Sequence, residues 1–235
     1  MNKAISYPSG LEFFLRSLRA NFGDFIVLRG YQYLPSGYSN DIDIFIPKTK
    51  LKKFFSCVNN MRGIDASLKI IVSRLGLIKC ELKINDESIP FDILYGFYYF
   101  GFEYQNLSLL SSRSTLHESE IFSVPDVSDE VRISLLKELL HNDRVRSDKA
   151  DYLLKMIDVC YEALPTKYFP QESINNVKYS IINKELFLPK VSQRIKLDLI
   201  YFNFSEHFFK SSKNIILFIF IKYILKNFYH KYITK

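Results

Sequence analysis

Two aspartates alternate with isoleucines in the run Asn40-Asp-Ile-Asp-Ile-Phe-Ile46, and that alternation dictates a strand with two unlike faces. Successive strand side chains point to opposite sides, so Asp41 and Asp43 project together, roughly 7 Å apart, while Ile42, Ile44 and Ile46 take the side that a sheet buries. Like charges on an otherwise apolar strand are costly unless a cation neutralises them. The run therefore demands a sheet with one covered face, one acidic face and a counter-ion. Mg2+, a hard cation that takes oxygen ligands and leaves room for phosphate, meets the last demand.

The flanking sequence supplies the rest of such a sheet. Leu11, Phe14, Leu15 and Leu18 recur at helical spacing with Arg16 and Arg19 on the other side, which predicts a helix over about 10–22. A strand over Phe25 to Leu28 ends at Arg29-Gly30, and a loop over 31–40 carries Pro35, Ser36 and Gly37. Thr49 is placed to cap a helix reaching about Met61. Two β-rich runs, Ser67 to Arg74 and Leu77 to Ile84, surround Leu75-Gly76, and a further strand, Ser88 to Leu94, carries Asp92. Beyond about Asp126 the pattern is helical. Ser128 precedes Asp129-Glu130 and the apolar series Val131, Leu135, Leu136, Leu139 and Leu140, the mark of a capped amphipathic helix. Further helices fit 147–164 and 171–186, and a basic fourth starts at Pro189. The fold class is α+β: a mixed β-sheet with flanking helices, followed by an α-helical lobe. The divisions are an α/β domain over 1–105, a transitional segment and helical lobe over 106–189, and a basic, aromatic-rich helical tail over 190–235.

Charge is distributed unevenly. Up to Pro189 the chain has 23 Lys+Arg against 23 Asp+Glu, and from Lys190 onward 9 against 2, so the whole net charge of +7 lies in the tail. An apolar, basic segment of this kind suits an anionic lipid surface, a nucleic acid or an acidic partner protein. The block from Ile215 to Tyr232, with Lys213, Lys222, Lys226 and Lys231 around it, fits an interfacial helix or a helix packed on its neighbours. Ile215 to Ile221 is far shorter than the roughly 20 apolar residues of a membrane span. Cys57, Cys80 and Cys160 lack the paired spacing of a zinc site or a disulfide framework, which fits a reducing compartment. The N-terminus lacks the apolar core of a secretory signal. Together these point to a cytoplasmic protein, with peripheral contact at the inner face of the membrane through 190–235.

The order helix, strand ending in glycine, polar loop, Asp-x-Asp strand, helix, strands and a later strand with a third acid resembles the nucleotidyltransferase superfamily related to DNA polymerase β. The matching positions are Gly30, Asp41 with Asp43, and Asp92 in Ile89-Pro-Phe-Asp-Ile-Leu94, covering about residues 10–95. The resemblance implies a nucleotidyltransferase-fold sheet and an active cleft between it and the helical lobe. It implies transfer of a nucleotidyl group from a nucleoside triphosphate to a hydroxyl or phosphate with two Mg2+ ions, for which Mn2+ could substitute. Asp41 and Asp43 would hold both ions, and Asp92 would complete the site on the nucleophile side. Gly30, Ser39 and Asn40 would contact the triphosphate.

Tyr31 departs from the small residue usual after the turn glycine, and its ring either narrows the phosphate pocket or stacks on a base or sugar. Arg29 either pairs with a phosphate or serves as an ion-pair partner of an aspartate. A narrower similarity joins Leu28-Arg-Gly-Tyr, Leu34-Pro35, Ser39-Asn-Asp-Ile-Asp, Phe91-Asp and Phe122-Ser-Val-Pro125 to nucleotidyltransferase-like proteins of bacterial capsule and lipopolysaccharide biosynthesis. Two rival readings stand beside it. One is a catalytically inactive binding module that kept the fold. The other is an antitoxin-like minimal nucleotidyltransferase acting on a protein or a transfer RNA. The aromatic stretch Tyr95 to Tyr104 reads as core packing or as a pocket wall, Lys48, Lys50, Lys52 and Lys53 as a solvated helix face, and His117 as part of a surface loop.

Overall fold

A computed structural model of the chain describes residues 6–38, 41–99 and 101–208. The chain divides into two compact units, Met1–Tyr98 with Gln105–Asp126, and Tyr99–Tyr104 with Val127–Lys235. Both α-helices and a mixed sheet are present, so the class is α+β as expected.

The first unit contains α1 (Leu11–Phe22), β1 (Ile26–Arg29), β2 (Ile42–Phe45), α2 (Leu51–Asn59), β3 (Ala66–Arg74), β4 (Leu77–Ile84) and β5 (Glu87–Leu94). The strands β6 (Tyr98–Tyr99) and β7 (Phe102–Glu103) pair with each other where the chain passes into the second unit. The chain returns as α3 (Leu107–Arg113), β8 (Thr115–Leu116) and β9 (Ser123–Val124). Among the described residues seven strands form one sheet in the order β3-β4-β5-β2-β1-β9-β8. β2 runs parallel to β5, and β1 parallel to β9, while the other neighbours are antiparallel.

One sheet face is covered as the alternation requires. Ile42, Ile44 and Ile46 are fully buried in one cluster with Leu11, Phe14, Leu15 and Leu18 of α1 and Phe54 and Val58 of α2. Phe14 meets Phe91 edge-on at 6.3 Å, and Phe22 meets Phe54 at 5.6 Å. Each such side chain contributes roughly 2 kcal/mol by leaving water, so this face alone accounts for the sheet's attachment to α1 and α2. Lys48–Lys50 forms a 3-10 turn ahead of α2, whose N-cap is Lys50 with no side-chain cap bond, so Thr49 does not cap the helix as expected. The lysines are solvated, and Lys53 Nζ donates to the Phe22 carbonyl at 2.9 Å.

The second unit is helical: α4 (Val127–Asn142), α5 (Ser147–Cys160), α6 (Gln171–Ile182) and α7 (Pro189–Phe208). Leu135, Leu136, Leu139, Leu153, Ile157, Ile174, Val177, Ile195 and Leu199 form its interior. The expected amphipathic character of α4 is corrected, because Asp129, Arg132 and Glu138 are buried along with its leucines. Ser128 lies within the helix and is itself buried, so it does not mark the start. No described helix is long and apolar enough to cross a membrane. The interfacial helix expected over Ile215 to Tyr232 lies outside the described residues. In the described part of the basic segment, Arg194 pairs with Glu172 at 2.9 Å and Lys196 with Asp143 at 2.5 Å, so these cations are engaged within the unit.

Candidate functional site

The acidic face of the sheet is built by register. Asp43 on β2 lies beside Asp92 on the parallel β5. Asp92 faces Lys79 across β4, and Asp43 faces Arg29 across β1. One row of side chains thus crosses four neighbouring strands as Lys79, Asp92, Asp43, Arg29, with signs plus, minus, minus, plus. Asp41, two residues ahead of Asp43, points the same way.

Arg29 reaches this row because of an irregularity. The ladder between β1 and β2 shifts between Val27, opposite Ile44, and Arg29, opposite Asp43. An uninterrupted ladder would set Leu28 against Asp43, and the extra residue delivers a guanidinium instead. Its Nε donates to Asp43 Oδ2, and its Nη2 lies 3.3 Å from Asp41 Oδ2. Lys79 Nζ lies 3.4 Å from Asp92 Oδ2. Of the two roles left open for Arg29, the described contacts are those of an ion-pair partner, and it engages two aspartates rather than one.

Each of Asp41, Asp43 and Asp92 offers one carboxylate oxygen within 4.8 Å of the others, a grouping that could hold a metal ion. Asp43 and Asp92 are buried, at 2% and 7% exposure, whereas the Asp41 side chain keeps 31%, which leaves the cluster reachable from that end. The floor beyond Asp43 is apolar, since Phe45 stacks on the buried Phe97 at 6.2 Å. Burial works against the Arg29 charge, yet the attraction and hydrogen bond of Asp43, then the charges of Asp41 and Asp92, outweigh it and raise its pKa above the ordinary value. Burial first, and then the Asp92 charge, push the Cys80 thiol up to about 11, which makes it a packing residue and a poor nucleophile.

The remaining expected residues are placed as follows. Gly30 caps the 3-10 turn Tyr31–Tyr33 with φ 71°, a left-handed conformation that favours glycine. A Cβ there would meet nothing within 4 Å, so conformation and not crowding selects the residue. Tyr31 is half-buried, and its ring meets His117 edge-on at 6.0 Å. His117 lies in the loop between β8 and β9, as expected, with its ring stacked on Phe122 at 4.6 Å and its Nδ1 3.0 Å from Ser119 Oγ. Ser39 and Asn40 lie outside the described residues. The stretch from Tyr95 to Tyr104 packs in both units: Tyr95 and Phe97 in the first, and Tyr99 and Tyr104 around His141 in the second. A Cβ on Gly96 would lie 2.0 Å from the Tyr98 ring, so a larger residue there would require that ring to move.

Sequence reasoning missed Lys79, although the alternation of β4, with Ile78, Cys80 and Leu82 inward, already sets Lys79 on the acidic face. Its pairing with Asp92 needs the β4-β5 register as well. No protein-family model, curated protein or solved structure matches the chain.

Proposed function

We propose that the first unit is a nucleotidyltransferase-fold domain that moves a nucleotidyl group from a nucleoside triphosphate to a hydroxyl or phosphate acceptor, with Mg2+ held by Asp41, Asp43 and Asp92. The observation that carries this reading is the convergence of the three carboxylates from two neighbouring parallel strands. An all-carboxylate donor set suits a hard, oxygen-seeking cation, and Mn2+ would substitute for Mg2+. Bound there, in the two-ion form of the proposal, such cations supply Lewis-acid stabilisation of phosphate charge. The chain's own residues do the rest. Asp41 and Asp43 fix the acidic floor, and Asp92 accepts the proton of an acceptor hydroxyl as its oxygen bonds the α-phosphorus and pyrophosphate leaves. The left-handed turn at Gly30 presents backbone N–H groups to the triphosphate. Surface-polysaccharide assembly, in the cytoplasm at the membrane's inner face, is the setting suggested by the similarity to capsule and lipopolysaccharide proteins.

Asp43→Asn tests the reading. Pyrophosphate release from the nucleoside triphosphates should fall by about a hundredfold or more. The melting temperature should move by no more than about 3 °C, or about 1 kcal/mol for a chain of this length. Undiminished turnover in the variant removes the assignment. A second reading has its own observation in favour: Arg29 already pairs with two of the three aspartates, as it would in a non-catalytic module where the pair is permanent. Calorimetry with Mg2+ and each triphosphate separates the two, since the module need bind neither.

A further inference from the structure

We propose that Arg29 is a resident counter-ion that a divalent cation must displace, so that the chain's own guanidinium sets the affinity of the aspartate cluster for metal. The inference rests on the reading that Asp41, Asp43 and Asp92 hold a metal ion.

Three features of the row lead to it. The irregularity in β1 aims Arg29 inward where Leu28 would otherwise stand, so the guanidinium is delivered to the cluster by the backbone and not by a chance rotamer. Its Nε and Nη2 then engage Asp43 and Asp41 together, two of the three carboxylates a cation would need. Its charge is also permanent at any pH the fold survives, so it cannot leave the cluster by losing a proton and must move. Lys79 differs in its contacts: it is a flexible ammonium, 47% exposed, and its described ion pair is with Asp92.

The two occupants do the same electrostatic work. Asp43 is buried next to Asp92, and two such carboxylates destabilise the sheet unless a positive charge lies beside them. Arg29 supplies it in the metal-free protein, and a divalent cation supplies it in the loaded one. Binding is therefore an exchange, with its apparent affinity lowered by the cost of removing the guanidinium. The released side chain sits directly before the Gly30 turn, where an arriving anion would meet it.

Isothermal titration of the 235-residue chain with MnCl2, and thermal melts across MgCl2 concentrations, test the exchange in the unmodified protein, Arg29→Gln, Arg29→Lys and Lys79→Gln. Arg29→Gln should bind Mn2+ about tenfold or more tightly than the unmodified chain. It should melt lower without metal, and Mg2+ should restore more of its melting temperature than the same addition gives the unmodified chain. Lys79→Gln should tighten binding by only about two- to threefold, the scale of a partly exposed pair. Arg29→Lys, which keeps the charge on a shorter reach to the acids, should fall between and serves if the glutamine variant fails to fold. Equal Mn2+ affinity in the unmodified chain and Arg29→Gln overturns the exchange while leaving the metal site standing. An equal gain in Lys79→Gln and Arg29→Gln also overturns it, since a generic field would then suffice. Absence of Mn2+ binding in the unmodified chain and both Arg29 variants overturns the exchange and the metal reading together.

Discussion

The sheet unit and the helical unit both bury charged side chains, but they balance them differently. In α4, Glu138 is 1% exposed and receives Arg146 Nε at 3.0 Å, Lys149 Nζ at 2.9 Å and the Asn142 amide at 3.2 Å. Two and a half turns earlier, Asp129 is fully buried against Arg132 Nη1 at 2.6 Å, and Arg132 also donates to the Leu164 and Ala163 carbonyls. There each carboxylate has at least one cation of its own, and the spare donors of Arg132 are satisfied by backbone. On the sheet, among the described ion pairs, Arg29 and Lys79 serve three carboxylates between them. Burial of charge therefore does not mark a site by itself. A cluster whose cations match its acids is a structural fastening, and one whose acids outnumber its cations has affinity left for a further positive group.

The largest expected effect lies in the fastening. Arg132→Met leaves Asp129 charged in a dry interior, and breaking a buried pair from one side costs about 3–5 kcal/mol. Urea unfolding should show that loss. A cost below about 1 kcal/mol would mean that the helical pair is as dispensable as a surface pair, and the contrast with the sheet would collapse.

The sequence made one side of this contrast easy to see. Asp41, Asp43 and Asp92 stand out because alternation with Ile42, Ile44, Phe91 and Ile93 is a local, period-two signal that survives without any knowledge of partners. The limits of α1, α2 and β1 to β5 follow from periodicity of this kind, to within a residue or two, whereas α3, β8 and β9, in the span expected to be transitional, were not marked by it. The cations were harder. Arg29 faces Asp43 only because of the shift after Val27, and Lys79 faces Asp92 only through the β4-β5 register, both properties of pairing that one strand cannot declare. In α4 the period of Val131, Leu135 and Leu139 was legible, but burial on every side was not, because it depends on what packs around the helix. Thr49 failed as a cap for a related reason: Lys48–Lys50 already forms its own turn, and α2 begins after it.

Glu138→Gln sharpens the comparison at intermediate size and ties it to pH. Burial opposes the Glu138 charge, but the hydrogen bond and charge of Lys149, then the Arg146 charge and the Asn142 amide, hold its carboxyl below the usual value. A depressed folded pKa contributes stability that is complete above the unfolded pKa, roughly 4.3 for glutamate, and is lost as the pH falls through the folded one. The variant should cost about 1–3 kcal/mol at neutral pH, the scale of hydrogen bonds to a charged group. Urea melts at pH 7, 5, 4 and 3 should show the gap between the two proteins narrowing toward acid. A gap that stays constant across that range would place the carboxylate's contribution elsewhere.

The smallest expected effect is one row away from the aspartates on the same sheet face. Lys69 on β3 faces Glu81 on β4, with Nζ and Oε2 4.0 Å apart, and Lys69 is 73% exposed. The lowered Glu81 pKa owes most to the Ser88 hydroxyl at 2.5 Å, against a smaller opposing cost of burial, with Lys69 only third. Charge types and strand neighbours thus repeat those of Lys79 and Asp92, but solvent screens the pair and a neutral donor already serves the acid. Lys69→Gln should leave the melting temperature within the scatter of repeat scans and the Mn2+ affinity unchanged. If it tightened Mn2+ binding as much as Lys79→Gln, the long-range field of the whole face would be acting, and the direct contacts of the Lys79, Asp92, Asp43, Arg29 row would lose their special standing.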